Sequence, residues 1–166
     1  MVLDPWALIK EINNLKKNGI NVNNSNLFIA ENICLILPIH KILDEINEKS
    51  RGSELIGTTK KGIGPAYEDK VGRRAIRITD LKYPDLLKKK IDNLHSYHES
   101  KISKNNIVIK NYYEELLNMS EYLNSFVVPL WKIINEFGKI NKNIVFEGAQ
   151  GSLLDIDFGT YPYVTS

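Results

Sequence analysis

The chain has 166 residues, 43% of them hydrophobic and 25% charged, with a formal net charge of +2. That length suits one domain able to bury roughly two-thirds of its unfolded surface, and the composition is that of a soluble globular protein. Balanced charge argues against nucleic acid, which recruits a strong basic patch; no apolar run approaches a membrane span, and no signal-peptide layout opens the chain, so a cytoplasmic protein is expected.

The first element is a helix marked at both ends. Asp4 can cap it, Pro5 suits its first turn, and Gly19 sits where a left-handed stop is needed. Leu8, Ile9, Ile12 and Leu15 recur at helical spacing between them. Leu27-Phe28-Ile29 reads as a short strand, and "CLIL" as an extended run, because Leu37 precedes a proline. Cys34, the single cysteine, lies in that run and reads as a buried, inert thiol outside any disulfide. Pro38 starts a second helix with Ile39, Ile42, Leu43 and Ile46 on one face.

Residues 51–80 have little periodicity and read as one or two loops. Helices follow from about Pro84, over Asn111–Leu123, and from Pro129 to Phe137, ending at Gly138. Asn143–Phe146 reads as a strand that opens into a last loop. Helices with a few short apolar strands give an α/β layer, not a pure bundle. His40, His95 and His98 fall on helical stretches without a second ligand at useful spacing, which favours surface or packing roles.

Two loops can carry chemistry. In "GTTKKGIGPAYEDKVGRR", Gly57, Gly62 and Gly64 allow close backbone approach. Thr58 and Thr59 supply hydroxyls; Lys60, Lys61, Lys70, Arg73 and Arg74 supply positive charge. Together these suit a phosphate, although the spacing is not that of a Walker A loop. Composition alone equally fits a solvated basic surface loop. In "FEGAQGSLLDIDFGTYPYVTS", small residues and the amide of Gln150 follow a strand, where ligands bind in open α/β sheets. A tight turn capping the next helix fits the same residues. Asp155 and Asp157 read as a solvated or capping pair rather than a metal site.

"GIGPAYEDKVGR" fits the pattern G-I-G-P-x-Y-x-x-K-x-x-R. With "IGTT" before it and "FEGAQGSLLDIDFGTYPYVTS" after it, the chain closely resembles adenylosuccinate synthetases over essentially its whole length. The resemblance implies GTP- and Mg2+-dependent joining of IMP to L-aspartate, through phosphorylation of the purine O6 and displacement by the aspartate amine. It implies that Thr59, Gln150 and Thr165 hold the IMP phosphate. Arg73 would reach the IMP site of the partner subunit of a homodimer, and Lys70 of the signature is the catalytic candidate. The plainer alternative for Arg73 is a surface arginine, or one paired with Glu68 or Asp69 of its own chain.

The same resemblance marks departures. The family's N-terminal Gln-Trp-Gly-Asp-Glu-Gly-Lys-Gly segment, with its catalytic aspartate, magnesium contacts and phosphate loop, is not in this sequence. Nor are the catalytic histidine segment, the aspartate-binding loop or the guanine-recognition segment. The expected fold is therefore the helix-rich central part of a P-loop-like GTPase-type α/β domain, residues 1–166 forming one partial domain that lacks the N- and C-terminal segments. Two functional readings follow: part of an adenylosuccinate synthetase, inactive alone, or a non-catalytic IMP-binding or assembly module.

Overall fold

The computed structural model describes residues 1–52 and 56–165. Six α-helices and four two-residue strands are present among them: β1 (Val2–Leu3), α1 (Pro5–Lys17), β2 (Ile29–Ala30), β3 (Cys34–Leu35), α2 (Pro38–Ser50), α3 (Ile63–Val71), α4 (Pro84–Ser103), α5 (Tyr113–Asn124), β4 (Val127–Val128) and α6 (Leu130–Lys139). The expected α/β class is met, with the strands pairing in parallel. Val2 lies opposite Cys34 and Leu3 opposite Leu35 in one sheet. Ile29 lies opposite Val127 and Ala30 opposite Val128 in the other.

The segment Cys34–Leu37 is buried throughout. It is held on both sides: Ile36 N–H donates to the Leu3 carbonyl at 2.7 Å and Leu35 N–H to the Ile76 carbonyl at 2.8 Å. A continuous apolar run is what such a doubly covered strand requires. Cys34 is buried there as a free thiol, as expected.

Helix α1 begins as its sequence dictates. The Asp4 carboxylate accepts the Ala7 N–H at 3.1 Å, Pro5 occupies the first turn, and Gly19 beyond the end has φ of 80°. Asp4 also pairs with Lys41 of α2 at 2.6 Å. Leu37 and Pro38 start α2, whose Ile39, Leu43 and Ile46 enter the core. The core joins them to Ile12, Leu35, Ile76, Leu87, Leu94, Leu116 and Leu123 from the other elements.

Two expectations need correction. The stretch 51–80 contains helix α3 and a 3-10 turn at Ile78–Lys82. Helix α3 escaped notice because its buried face is Pro65, Ala66 and Asp69: one residue is a carboxylate and another is small, so no apolar stripe shows. The second concerns 143–146, which is not a strand. Val145 and Phe146 are 90% and 83% exposed, and no strand among the described residues pairs with them. A strand's preference is realised through such neighbours.

From α6 onward the chain presents its apolar groups outward. Helix α6 buries no residue, and Trp131, Phe137, Ile140, Ile144 and Phe158 are all exposed. No helix among the described residues is long and apolar enough to cross a membrane.

A polar centre lies where α2, α3 and α4 meet. Asp69 is fully buried. Its Oδ1 accepts from Arg74 Nε at 2.7 Å and its Oδ2 bonds with His98 Nε2 at 2.9 Å. His40 Nε2 stands 3.3 Å from Oδ2, a contact that is electrostatic rather than well aligned. The Leu37 N–H donates to His40 Nδ1 at 2.9 Å, which puts the ring proton on Nε2, facing the carboxylate. The histidines do pack, as expected: His40 and His98 around this carboxylate, and His95 on Tyr112, its Nε2 2.8 Å from the phenol oxygen.

Burial pushes the Asp69 carboxyl up; the imidazoles of His40 and His98 and the guanidinium of Arg74 more than reverse this and hold it well below the usual range. An unfolded Asp69 takes up its proton near 3.8, the folded one only at much lower pH. Its stabilisation is therefore complete above about pH 4 and is lost as pH falls further. Asp69→Asn should lower stability by roughly 3 kcal/mol at neutral pH, in line with breaking a buried charge pair. The gap to the parent should close in acid. Urea unfolding followed by circular dichroism at pH 7 and below pH 4 measures it; a pH-independent gap would contradict the assignment.

Candidate functional site

A cleft of about 530 Å³ opens between the second half of α2, the segment 56–59, the start of α3 and the closing loop. It gathers Thr59, Gln150 and Thr165 on its wall, beside Arg51, Thr58 and Gly64. Three of the five candidate residues therefore converge from distant parts of the chain.

Helix α2 braces the near wall with two carboxylates one turn apart. Gly57 N–H donates to Glu48 Oε1 at 2.7 Å, with Thr58 N–H more distant at 3.4 Å. Gly62 N–H donates to Asp44 Oδ2 at 2.9 Å. Both acids are buried, and Glu48 Oε2 has no partner among the described residues. Sequence reasoning missed them. The available signal was two acids at i, i+4 beside the apolar face of α2, just ahead of a glycine-rich loop.

Gly62 turns the chain into α3 with φ of 79° and no side-chain cap. Among the described residues nothing accepts from the Ile63 and Gly64 amides at the positive end of the helix, and both residues line the cleft; that end suits an anion. A Cβ on Gly62 would lie 2.7 Å from the Lys41 backbone nitrogen, so α2 and α3 meet too closely there for any side chain.

The far wall is the closing loop. Asp155 Oδ1 accepts the N–H groups of Asp157 and Phe158 at 2.9 and 3.0 Å. The hydrogen bonds from Phe158 and then Asp157 lower the Asp155 carboxyl from its ordinary value. Asp155 is thus the capping residue expected, with Asp157 supplying an amide to it. Gly159 packs where a Cβ would collide with the carbonyls of Asp155 and Leu153. The chain then returns, and Thr165 N–H and Oγ1 both donate to the Leu154 carbonyl, at 2.9 and 3.0 Å. A hydroxyl has one proton, so Thr165 must leave Leu154 before it can donate to a ligand oxyanion. The Gln150 side chain makes no hydrogen bond among the described residues, so its amide is open on the cleft.

Lys70 and Arg73 do not line the cleft. Both are exposed, Lys70 on α3 and Arg73 in the turn that follows it. Lys70 Nζ stands 5.4 Å from the ring centre of Tyr67, a cleft residue. Arg73 forms no ion pair among the described residues; the acid beside it, Asp69, is held by Arg74 and the imidazoles. The own-chain pairing weighed for Arg73 is therefore not what the fold adopts.

Gly57 and Gly62 share a φ of 79°, but a Cβ on Gly57 meets nothing within 4 Å. Alanine at either position should destabilise through backbone strain by about 1 kcal/mol, and Gly62→Ala should exceed Gly57→Ala by at least about that again. Chemical unfolding midpoints of the two variants give the comparison. Equal losses would mean that α2 and α3 are not in contact at Gly62.

With this geometry in view, comparisons with known proteins are specific. The family model "Adenylosuccinate synthetase" matches residues 1–166. The adenylosuccinate synthetase of Wolbachia pipientis wMel is 50% identical over 169 residues, covering all of this chain and 40% of that protein. That of Ehrlichia canis (strain Jake) is 51% identical over 170 residues, with 100% and 39% coverage. The structure of fully ligated adenylosuccinate synthetase from Plasmodium falciparum superposes with a TM-score of 0.86 at 32% identity, again over all of this chain and 39% of that one. The chain thus spans about 40% of the length of the curated relatives it matches, and it belongs to the adenylosuccinate synthetase family.

Proposed function

We propose that this chain supplies the IMP-phosphate pocket and an interface-facing cation of an adenylosuccinate synthetase. The complete enzyme is a cytoplasmic homodimer that joins IMP and L-aspartate at the expense of GTP, giving adenylosuccinate, GDP and phosphate. The observation that carries this reading is the single cleft that gathers Thr59, Gln150 and Thr165 beside the amino end of α3. Hydroxyls, an amide and open helix amides are all donors, the set that a phosphate monoester needs. In the reaction, GTP phosphorylates the O6 of IMP, the aspartate amine attacks C6 and loses a proton, and the C6–O6 bond breaks as phosphate leaves carrying O6.

The pocket's part in this is to hold the substrate by its phosphate and fix the distance from there to the purine. Positioning of that kind lowers the barrier by removing motional freedom in advance. Lys70 acts from α3 and Arg73 from the turn after it. Arg73 reaches the IMP bound by the partner subunit, where a guanidinium fork can give paired hydrogen bonds and stay charged throughout the working pH range. Lys70 adds a compact cation to the phosphate-rich region. Among the described residues no group of three His, Cys, Asp or Glu can hold a metal ion. By the family resemblance, Mg2+ and most of the GTP contacts fall to segments other than this one, and the isolated chain should show no turnover.

The test uses the chain completed with the flanking segments of the Ehrlichia canis relative. Arg73→Leu removes a charge-assisted bond and should raise the KM for IMP by about ten- to a hundred-fold, or roughly 1.5–3 kcal/mol. Gln150→Ala should weaken IMP at its own pocket. Mixing the two variants gives dimers with one pocket that has both residues, so activity should rise above either parent. No recovery, although mixed dimers form, would show that Arg73 does not act across the interface.

A further inference from the structure

We infer that Asp69 is a positioning residue for the partner subunit's IMP site, acting by locking the backbone that aims Arg73 outward. This rests on the reading that Arg73 works in trans. Arg73 has φ of 61°, a left-handed conformation that non-glycine residues avoid and keep only where their surroundings impose it. Asp69 imposes it twice over. Its backbone carbonyl accepts the N–H groups of Arg74 and Ala75 at 2.9 and 3.2 Å. Its carboxylate holds the Arg74 side chain at 2.7 Å.

Arg74 is thus tied to one residue by main chain and side chain together, and Arg73 is the link left to turn outward. The Arg74 guanidinium also lies over the ring of Tyr97 on α4, 3.9 Å from its centre, and Tyr97 stacks edge-on with His98 at 4.8 Å. The second carboxylate oxygen is fixed by His98 of α4 and His40 of α2. The two adjacent arginines therefore have opposite duties: Arg74 is spent inside the fold, and Arg73 is exposed with no ion pair among the described residues.

A lock of this kind serves the neighbouring subunit and not its own cleft, and that gives it a signature. In the completed enzyme, Asp69→Asn should raise the KM for IMP about tenfold while kcat changes by less than about threefold, the pattern of lost positioning of a binding group. Arg74→Gln removes the side-chain half of the lock and leaves the buried carboxylate its imidazoles, so it should show the same split if Asp69→Asn folds poorly. Either variant mixed with Gln150→Ala should regain activity in mixed dimers, and mixed with Arg73→Leu should not. Recovery of Arg73→Leu with Gln150→Ala, but of neither lock variant, would overturn the positioning role and leave the trans reading of Arg73 intact. Failure of Arg73→Leu itself to recover would overturn both. An unchanged KM for IMP in Arg74→Gln would also overturn the proposal.

Discussion

A carboxylate with no access to water organises this chain. Left unpaired, buried Asp69 would be strongly destabilising. It is tolerated because α2 brings His40, α4 brings His98, and the turn after α3 brings Arg74. Each partner comes from a different piece of chain, so satisfying one charge fixes how those pieces sit. The cleft has braces of its own. Its near wall is α2 with the loop that Asp44 and Glu48 hold, and its floor is the start of α3. The outward turn at Arg73 begins from the same residue.

Much of the fold was legible wherever apolar spacing or a cap governs. Asp4, Pro5 and Gly19 bound α1, Pro38 opens α2, and Leu87, Ile91 and Leu94 mark the buried face of α4. Leu86, the leucine beside Leu87, is 43% exposed. What was not legible is polar burial. Helix α3 turns Asp69 inward, and α2 buries Asp44 and Glu48 beside its apolar face. A hydropathy pattern counts such residues as solvent-facing, so the helix looks like a loop and the brace looks like surface charge. The apparent strand at 143–146 fails for the opposite reason: its apolar residues are present, but a strand is defined by a partner outside itself.

The candidate site divides in the same way. The loop glycines, Thr59 and the Gln150 amide could be picked out from residue type and motif, and the fold brings them to one cleft with Thr165. The acids that hold the loop could not, because their task is to accept main-chain N–H groups, which leaves no mark in spacing. The exposed apolar groups of α6 and the closing loop, Trp131 and Phe158 among them, form the side of the molecule least settled by its own contacts. That agrees with a chain spanning about 40% of its relatives' length.

The central claim is that the start of α3 carries a phosphate pocket and that, beyond its end, a buried charge turns a cation outward. A crystal structure of the completed dimer with IMP bound tests it most directly. The account predicts the IMP phosphate among Thr59, Gln150 and Thr165, with the Thr165 hydroxyl released from the Leu154 carbonyl. It also predicts that Arg73 of the partner subunit lies within hydrogen-bond distance of that IMP, while Arg74 stays on Asp69. An IMP phosphate held elsewhere, or Arg73 folded back on its own chain with Arg74 off Asp69, would contradict it.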